Sequence, residues 1–151
     1  MFTPLITHDS DGAALAAPVN AARLNGATYK TRTIDDLCIK DDRLRAAIEG
    51  TGHLLFDGGM GTMLQKQGLH LGDIPELLCF TDPHRITDIH RAYVQAGAEL
   101  IYTNTFGGNR FKLQGTGHSV EELAIVAVGC ARDACRGTNA RVAFSAGACG
   151  R

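Results

Sequence analysis

The sequence predicts an α/β protein built from parallel βαβ units. Three short apolar runs of strand character alternate with two long helical patterns, in the order strand, helix, strand, helix, strand. The strand runs are residues 53–59, 98–108 and 140–150, and the helical patterns are residues 81–97 and 119–137. Right-handed crossovers would place both helices on one face of the sheet. This arrangement begins either a (β/α)8 barrel or an open α/β sheet, and both bind ligands at the carboxyl ends of their strands.

The composition is that of an ordinary globular protein. Hydrophobic residues make up 44% of the 151 residues, charged residues make up 21%, and the formal net charge is −1. This balance gives no electrostatic reason to expect nucleic acid or a membrane surface as a partner. No apolar stretch approaches the roughly 20 residues of a membrane-spanning helix. The first residues lack the basic segment that opens a secretory signal, so we expect a cytoplasmic protein.

The N-terminal part of the chain differs from the rest. Residues 1–40 mix small residues, glycine and turn formers without a sustained period, and we expect a largely irregular extension. The next stretch, "DDRLRAAIEG" at residues 41–50, has acids at its start, apolar residues at helical spacing and Gly50 as a stop. A short helix is predicted there. We therefore divide the chain into an extension, residues 1–40, and an α/β domain, residues 41–151.

The first strand ends in "LLFDGGMGTMLQ", residues 54–65, where an apolar run meets an acid and then glycines. An unpaired buried carboxylate is costly, so Asp57 at the end of a strand indicates a cationic partner. Gly58 and Gly59 would let that partner approach the main chain. The plainer alternative is that Asp57 is a turn former that caps the short helix after it. A phosphate-binding loop is disfavoured, because the P-loop pattern is absent and Asp57 would repel an anion.

Both helical patterns carry start and stop signals. In the first, Thr81 can cap the helix and Gly97 ends it. In the second, Ser119 with Glu122 three residues later forms a capping-box pattern, and Gly137 is the stop. The apolar stripes that these helices would bury are Ile86, Ile89, Tyr93 and Val94 in the first, and Leu123, Val126, Ala127, Cys130 and Ala134 in the second.

Polar side chains also end the second and third strands. Residues 103–105, with the sequence Thr-Asn-Thr, follow the apolar run of the second strand, and Ser145 follows that of the third. The carboxyl ends of parallel strands meet at one edge of a sheet, so these residues and Asp57 are candidates for one ligand site. The alternative is that residues 103–105 are ordinary strand and turn formers and that Phe106 belongs to the core.

Cysteines and histidines give weak signals. The five cysteines form no C-x-x-C pair; they are Cys38, Cys79, Cys130, Cys135 and Cys149. In a reducing cytosol we expect them to be free, partly buried thiols. Cys130 and Cys135 lie about 140° apart around a helix, so they share no face for a metal or a disulfide. His90, on the apolar side of the first long helix, is expected to be a packed, hydrogen-bonded histidine rather than a ligand.

Two long motifs resemble the start of the homocysteine S-methyltransferase family. They are "LLFDGGMGTMLQ" and "ELLCFTDPHRITDIHRAYVQAGAELIYTNTFGGNRFKL", preceded by the lead-in "LRAAIEG". The family includes the homocysteine-binding domain of cobalamin-dependent methionine synthase and betaine–homocysteine methyltransferase. The D-G-G-M-G-T turn is more similar to the methionine synthase side. The resemblance covers about residues 42–147, and residues 1–40 have no counterpart in it.

The resemblance implies a zinc-bearing TIM (β/α)8 barrel that transfers a methyl group to the thiol of homocysteine and gives methionine. The substrate would bind at the mouth of the barrel, with its sulfur on a zinc ion that stabilises the thiolate nucleophile. Carried over to this chain, Asp57 would accept hydrogen bonds from the substrate ammonium. Gly58 and Gly59 would let the main chain meet its carboxylate. Thr103 would add a polar contact, and Phe106 would form a wall of the pocket. Asn104 and Thr105 would fill the remaining motif positions.

The chain departs from the family pattern in its metal ligands. The zinc thiolates of the family lie downstream, in G-x-N-C and G-G-C-C motifs, and neither motif occurs here. Cys149 resembles no ligand motif, so we expect no zinc site and no catalytic residue in this chain alone. A (β/α)8 barrel needs about 250 residues. The three βα units predicted here would therefore be an incomplete, N-terminal part of a barrel.

The sequence thus predicts the substrate-binding portion of a homocysteine S-methyltransferase, inactive by itself, as an N-terminal piece of a larger enzyme. The remaining part of the barrel would be its partner, in cis or in trans. Other regions would handle the methyl donor, so cobalamin and methyltetrahydrofolate are possible through other domains. The alternative is a non-catalytic α/β small-ligand or assembly module that completes its barrel with another chain.

Overall fold

The computed structural model describes residues 36–70 and 72–147, together with the backbone of residues 23–24 and 27–28. The elements of this described part are, in chain order, β1 (Arg23–Leu24), β2 (Ala27–Thr28), α1 (Asp42–Ile48), α2 (Met60–Lys66), the 3₁₀ helix Pro75–Leu77, α3 (Leu78–Thr81), α4 (Pro83–Gln95), β3 (Leu100–Tyr102), α5 (Val120–Cys135) and β4 (Arg141–Ala143). The chain divides into two units, residues 1–51 and residues 52–151.

The first unit contains the predicted helix α1. Its N-cap is Asp41, whose carboxylate accepts a hydrogen bond from the Leu44 N–H at 3.0 Å. Gly50, two residues past the end of α1, has a φ of 76°, which favours glycine, so the predicted stop is confirmed. Upstream, β1 and β2 pair antiparallel. The rest of residues 1–35 lies outside the described residues, and the irregular extension and its boundary at residue 40 stay predictions.

The N-cap of helix α4 lies one residue later than predicted. Asp82 is the N-cap, and its carboxylate accepts a hydrogen bond from the Arg85 N–H at 3.3 Å. The prediction of Thr81 as the cap is wrong, because Thr81 ends α3 and its hydroxyl donates back to the Leu77 carbonyl at 3.2 Å. The predicted stop is confirmed, since Gly97 has a φ of 100°.

Helix α5 has the predicted capping box. The Ser119 hydroxyl accepts from the Glu122 N–H at 3.1 Å, and the Glu122 carboxylate accepts from the Ser119 N–H at 2.8 Å. These hydrogen bonds lower the pKa of Glu122 below its usual value. Gly137, with a φ of 76°, follows the helix as predicted. Both ends of α5 are therefore encoded locally.

The second unit contains a short parallel sheet. Strands β3 and β4 pair in parallel, with Ile101 opposite Val142. The predicted strand at residues 53–59 is shorter than expected, because it joins β3 through a single parallel bridge between Phe56 and Leu100. The outcome is an α/β unit with few strands, in which residues 55–57, β3 and β4 run side by side.

Acidic side chains explain why the first strand is so short. The Glu99 carboxylate accepts the hydrogen bond of the Leu55 N–H at 3.1 Å. At the other end, the Asp57 carboxylate accepts the hydrogen bond of the Tyr102 N–H at 3.1 Å. In a regular ladder, main-chain carbonyls would occupy these positions. Two side chains therefore replace the backbone as acceptors and terminate the pairing on both sides of the bridge.

Both long helices pack on the same face of the sheet, as right-handed crossovers predict. Ile101 and Val142 point to this face and contact a small cluster made of Ala98, Ala131 and Cys135, against which Tyr93, Val94 and Ala140 also pack. A larger cluster lies between α2, α3, α4 and α5, and its buried members are Leu64, Cys79, Ile86, Ile89, Leu113, Leu123, Ala127 and Cys130.

The other face of the sheet carries aromatic side chains. Phe56 and Tyr102 stack there, with 5.4 Å between ring centroids. Because side chains alternate along a strand, Tyr102 points away from the helices that cover Ile101. Phe56 and Tyr102 remain 44% and 43% exposed. Within the described residues, this face is therefore only partly covered.

Candidate functional site

Polar groups gather where the three parallel runs end. Asp57 is bonded to the last residue of β3, and Thr103, the next residue along, is bonded to Ser145, which follows β4. The structure thus brings these predicted residues to one edge of the sheet. The prediction of a shared edge assumed that the strands are parallel. Strands β3 and β4 do pair in parallel, so this assumption is confirmed.

Asp57 bonds to the neighbouring strand and does not cap the next helix. The N-cap of α2 is Gly59, which has no side-chain cap, so the capping alternative for Asp57 is wrong. Oδ2 of Asp57 accepts a hydrogen bond from the Tyr102 N–H, and the Asp57 N–H donates to the Leu100 carbonyl at 3.0 Å. Burial raises the pKa of Asp57, while the Tyr102 hydrogen bond works in the opposite direction.

Tyr93 supports the glycine turn after Asp57. Its hydroxyl donates to the Gly59 carbonyl at 3.3 Å. A Cβ on Gly58 would lie 2.9 Å from Cε1 and 2.9 Å from the hydroxyl oxygen of Tyr93. A Cβ on Gly59 would meet the Thr62 hydroxyl at 3.2 Å. Packing against α4 therefore gives Gly58 a reason to be glycine, in addition to the predicted approach of a ligand.

Thr103, Thr105 and Ser145 form a closed ring of hydrogen bonds. The Ser145 N–H donates to the Thr103 hydroxyl at 3.0 Å, and the Thr105 hydroxyl donates to the Ser145 carbonyl at 2.7 Å. The two hydroxyls are 2.7 Å apart. Since the Thr105 hydroxyl already donates its only proton to Ser145, Thr103 is the donor in the contact between the two hydroxyls. Both side chains are buried, and the ring joins the ends of β3 and β4.

Asn104 attaches the same edge to the segment before α4. Its amide nitrogen donates to the Pro75 carbonyl at 2.9 Å and lies 3.6 Å from the Cys79 sulfur. The side chain is buried. Asn104 therefore fixes the 3₁₀ helix and α3 relative to the end of β3.

Phe106 lies at the surface. Its side chain is 70% exposed, so the alternative that it belongs to the core is wrong. Its carbonyl lies directly against Gly147, where any Cβ would collide with it. Close backbone packing thus fixes the start of the loop after β3, and the ring of Phe106 stays free to cover a neighbouring group.

Glu76 is a buried acid that no motif in the sequence indicated as a site residue. Its Oε1 accepts the Gly107 N–H at 2.6 Å, and its Oε2 has no hydrogen-bond partner within the described residues. A Cβ on Gly107 would lie 2.5 Å from Glu76 Oε1 and 2.8 Å from Lys112 Nζ, so a cation lies near this carboxylate. Glu76 therefore holds the loop that carries Phe106.

Two residues of this region were missed for the same reason. Glu76 and Tyr93 both lie inside the long motif that carries the family resemblance, but neither ends a strand. The available signals were an acid next to a proline in an apolar segment, and a tyrosine on the apolar stripe of α4 with a hydroxyl to satisfy. Only the fold shows that both point to the loops at the sheet edge.

The described residues hold no group of three or more histidine, cysteine or acidic side chains that could bind a metal ion. Zinc in proteins is held by three or four such ligands. The part of the chain that the structure describes therefore does not fit the zinc centre that the family resemblance implies. None of its helices is long and apolar enough to cross a membrane.

Comparison with known proteins decides the family. The family model described as homocysteine S-methyltransferase matches residues 54–151. The chain belongs to the homocysteine S-methyltransferase family. This confirms the resemblance, and the match begins at the apolar run that leads into Asp57.

Similarity to individual proteins supports that assignment. The chain is 48% identical over 62 residues to the methionine synthase of Mycobacterium leprae, covering 37% of this chain and 5% of that protein. The methionine synthase of Mycobacterium tuberculosis is 46% identical over 62 residues, again 5% of its length. The metallated homocysteine methyltransferase MmuM of Escherichia coli is similar in structure, with a TM-score of 0.58 and 27% identity. That match covers 70% of this chain and 41% of MmuM.

Proposed function

We propose that this chain is the substrate-binding portion of a homocysteine S-methyltransferase, which methylates the homocysteine thiol to give methionine. Family membership supports the reaction class, and the similarity to methionine synthases and to a homocysteine methyltransferase supports the substrate. We further propose that residues 52–147 supply the first βα units of a (β/α)8 barrel. The stacked, half-exposed Phe56 and Tyr102 then lie on the face that the rest of the barrel covers.

The assignment of the substrate rests on Asp57. Its carboxylate is half-buried at the edge where the parallel runs end, and the neighbouring strand holds it in place through Oδ2. Burial makes its negative charge costly, and a cation beside it offsets that cost. The ammonium group of an amino acid is such a cation. Asp57 therefore binds the amino-acid end of homocysteine in this proposal.

The other predicted positions surround that end of the substrate. Gly58 and Gly59 leave the main chain open beside Asp57. Thr103 and Asn104, whose own hydrogen bonds lie within the chain, give the pocket a rigid wall. Phe106, exposed at the start of the next loop, covers the bound molecule. Because the described residues do not fit a zinc centre, activation of the thiol is assigned to groups outside them.

Calorimetry on the full chain tests the role of Asp57. We compare homocysteine with 4-mercaptobutyrate, which has the same thiol and carboxylate but no ammonium group. The wild type should bind homocysteine more tightly by about tenfold or more, as expected for a charge-assisted hydrogen bond. In Asp57→Asn, the amide oxygen can still accept the Tyr102 N–H, so the fold is kept while the charge is lost. This variant should bind both compounds equally weakly.

Asp88→Asn is the matched control. Asp88 is an exposed acid of α4 that pairs with Arg91. This variant should keep the preference for homocysteine. Equal binding of the two thiols by the wild type would refute the ammonium contact, and a preference that survives in Asp57→Asn would assign it to another residue.

A further inference from the structure

The turn that follows Asp57 has little local reinforcement. Residues 58 and 59 are glycines, whose backbone has the widest conformational freedom of any residue. Helix α2, which starts directly after them, has seven residues, and its N-cap Gly59 has no side chain that could cap it. On the strand side, the Tyr102 N–H holds the Asp57 carboxylate. On the helix side, the turn therefore depends on contacts with a distant segment of the chain.

Tyr93 of α4 supplies these contacts through two parts of its side chain. The ring lies against the main chain of Gly58, where a Cβ would come within 2.9 Å of Cε1 and 3.1 Å of Cζ. The hydroxyl donates to the Gly59 carbonyl at 3.3 Å. The same carbonyl accepts the Met63 N–H at 3.3 Å, in a main-chain hydrogen bond at the start of α2. One tyrosine therefore holds both glycines and the beginning of the helix.

Tyr93 is itself held by the rest of the fold. Its side chain packs against the larger core cluster and also against the small cluster on the helix face of the sheet. Its main-chain carbonyl accepts the Ala98 N–H at 3.0 Å, in the turn that ends α4. A side chain that is packed against two clusters presents its hydroxyl in a fixed position. The core thus fixes the turn beside Asp57 through a single side chain.

We propose that Tyr93 is a positioning residue for the amino-acid end of the substrate, because it holds the glycine turn so that the Asp57 carboxylate faces the bound ammonium group. This inference rests on the proposed function, in which Asp57 binds that group. Tyr93 does not contact the substrate. A hydrogen bond weakens steeply when its geometry is lost. Loss of the Tyr93 hydroxyl therefore lowers the preference for a ligand that carries an ammonium group, and not only the affinity in general.

The two thiols that test Asp57, homocysteine and 4-mercaptobutyrate, also test Tyr93. Calorimetry on the full chain gives the ratio of their affinities. Tyr93→Phe keeps the ring and removes only the hydroxyl, so the ratio should fall by about fivefold, the effect of one neutral hydrogen bond. A smaller folded fraction would weaken the binding of both compounds equally and would leave the ratio unchanged. The ratio thus separates positioning from general stability.

Ile89→Val is the matched control. Ile89 is buried in the larger core cluster on the same helix, and valine leaves a small cavity there. This variant should lose stability in urea and keep the wild-type ratio. An unchanged ratio in Tyr93→Phe, beside a clear preference in the wild type, would overturn the role of Tyr93 and leave that of Asp57 standing. Absence of any preference in the wild type would refute the ammonium contact and, with it, this inference.

Amide hydrogen exchange tests the contact without a ligand. In Tyr93→Phe, the Met63 amide at the start of α2 should exchange faster than in the wild type, by about fivefold. The Leu123 amide is the internal reference, because it bonds to the Ser119 carbonyl at the start of α5, where a capping box holds the helix. Its exchange should stay the same. Equal exchange of the Met63 amide in both proteins would show that the hydroxyl does not hold the turn, and would overturn the proposal.

Discussion

The ring of Tyr93 lies against the main chain of Gly58 so closely that any side chain at residue 58 would collide with it. The Tyr93 hydroxyl also donates to the carbonyl of Gly59. Helix α4 thus supports the turn directly after Asp57. The position of the candidate ligand-binding carboxylate therefore depends on a contact between two segments that lie far apart in the sequence.

Substitution of Gly58 tests this contact. Gly58→Ala places a Cβ 2.9 Å from the Tyr93 ring, and overpacking of this kind costs about 1–3 kcal/mol. Gly61→Ala is the matched control, since a Cβ there meets nothing within 4 Å and Gly61 lies inside α2. Alanine should stabilise that helix by about 0.5–1 kcal/mol. Urea denaturation measures both changes, and equal midpoints for the two variants would contradict the packing argument.

The ionised Asp57 carboxylate should destabilise the folded chain when no ligand is bound. Its pKa is raised in the folded chain, so folding favours the protonated carboxyl. The free energy of unfolding then falls as the pH rises from the unfolded pKa through the folded one, and the loss persists at neutral pH. Asp57→Asn should therefore have a higher denaturation midpoint than the wild type at pH 7, with no such gain at a pH below both pKa values. A lower midpoint at pH 7 would mean that the charge stabilises the fold.

Glu76 should matter through its hydrogen bond to Gly107. Glu76→Ala leaves the Gly107 N–H without its acceptor, and an unsatisfied buried donor costs about 1–3 kcal/mol. Glu76→Gln keeps an acceptor oxygen and removes a buried charge, so it should lose much less stability. Glu121→Ala, at an exposed acid in the first turn of α5, is a surface control. Thermal unfolding measures the three, and equal losses for Glu76→Ala and Glu76→Gln would show that the charge matters more than the hydrogen bond.

His90 should make the fold sensitive to acid. It is fully buried, which confirms the predicted packing, but neither ring nitrogen has a hydrogen-bond partner in the described part of the chain, so the predicted hydrogen bond is wrong. Burial lowers its pKa from 6.5 to about 4. Stability is complete above the unfolded pKa and falls as the pH drops toward the folded one, by on the order of 3 kcal/mol.

Denaturant melts between pH 7 and pH 4 measure this effect. His90→Leu cannot take up the proton, so its stability should fall less than that of the wild type over this range. His84→Gln replaces an exposed histidine of the same helix and should behave like the wild type. Parallel pH curves for His90→Leu and the wild type would exclude His90 as the source.

Local signals predicted the helices well. The capping box of Ser119 and Glu122 acts within one turn of chain, and so do the stops at Gly97 and Gly137. The one error at a helix start, Thr81 in place of Asp82, came from two adjacent residues that can both cap. The length of the strand predicted at residues 53–59 was overestimated, because the side chains of Glu99 and Asp57 end its pairing with β3.

The sequence by itself determined the family, the order of strands and helices, and the helix ends, because these depend on motifs and on residues close together in the chain. The tertiary structure alone decided what each polar side chain touches. Asp57 meets a backbone N–H from β3, and Tyr93 lies under the glycine turn. These contacts join residues 34 and 45 positions apart, and local patterning does not specify which distant groups folding brings together.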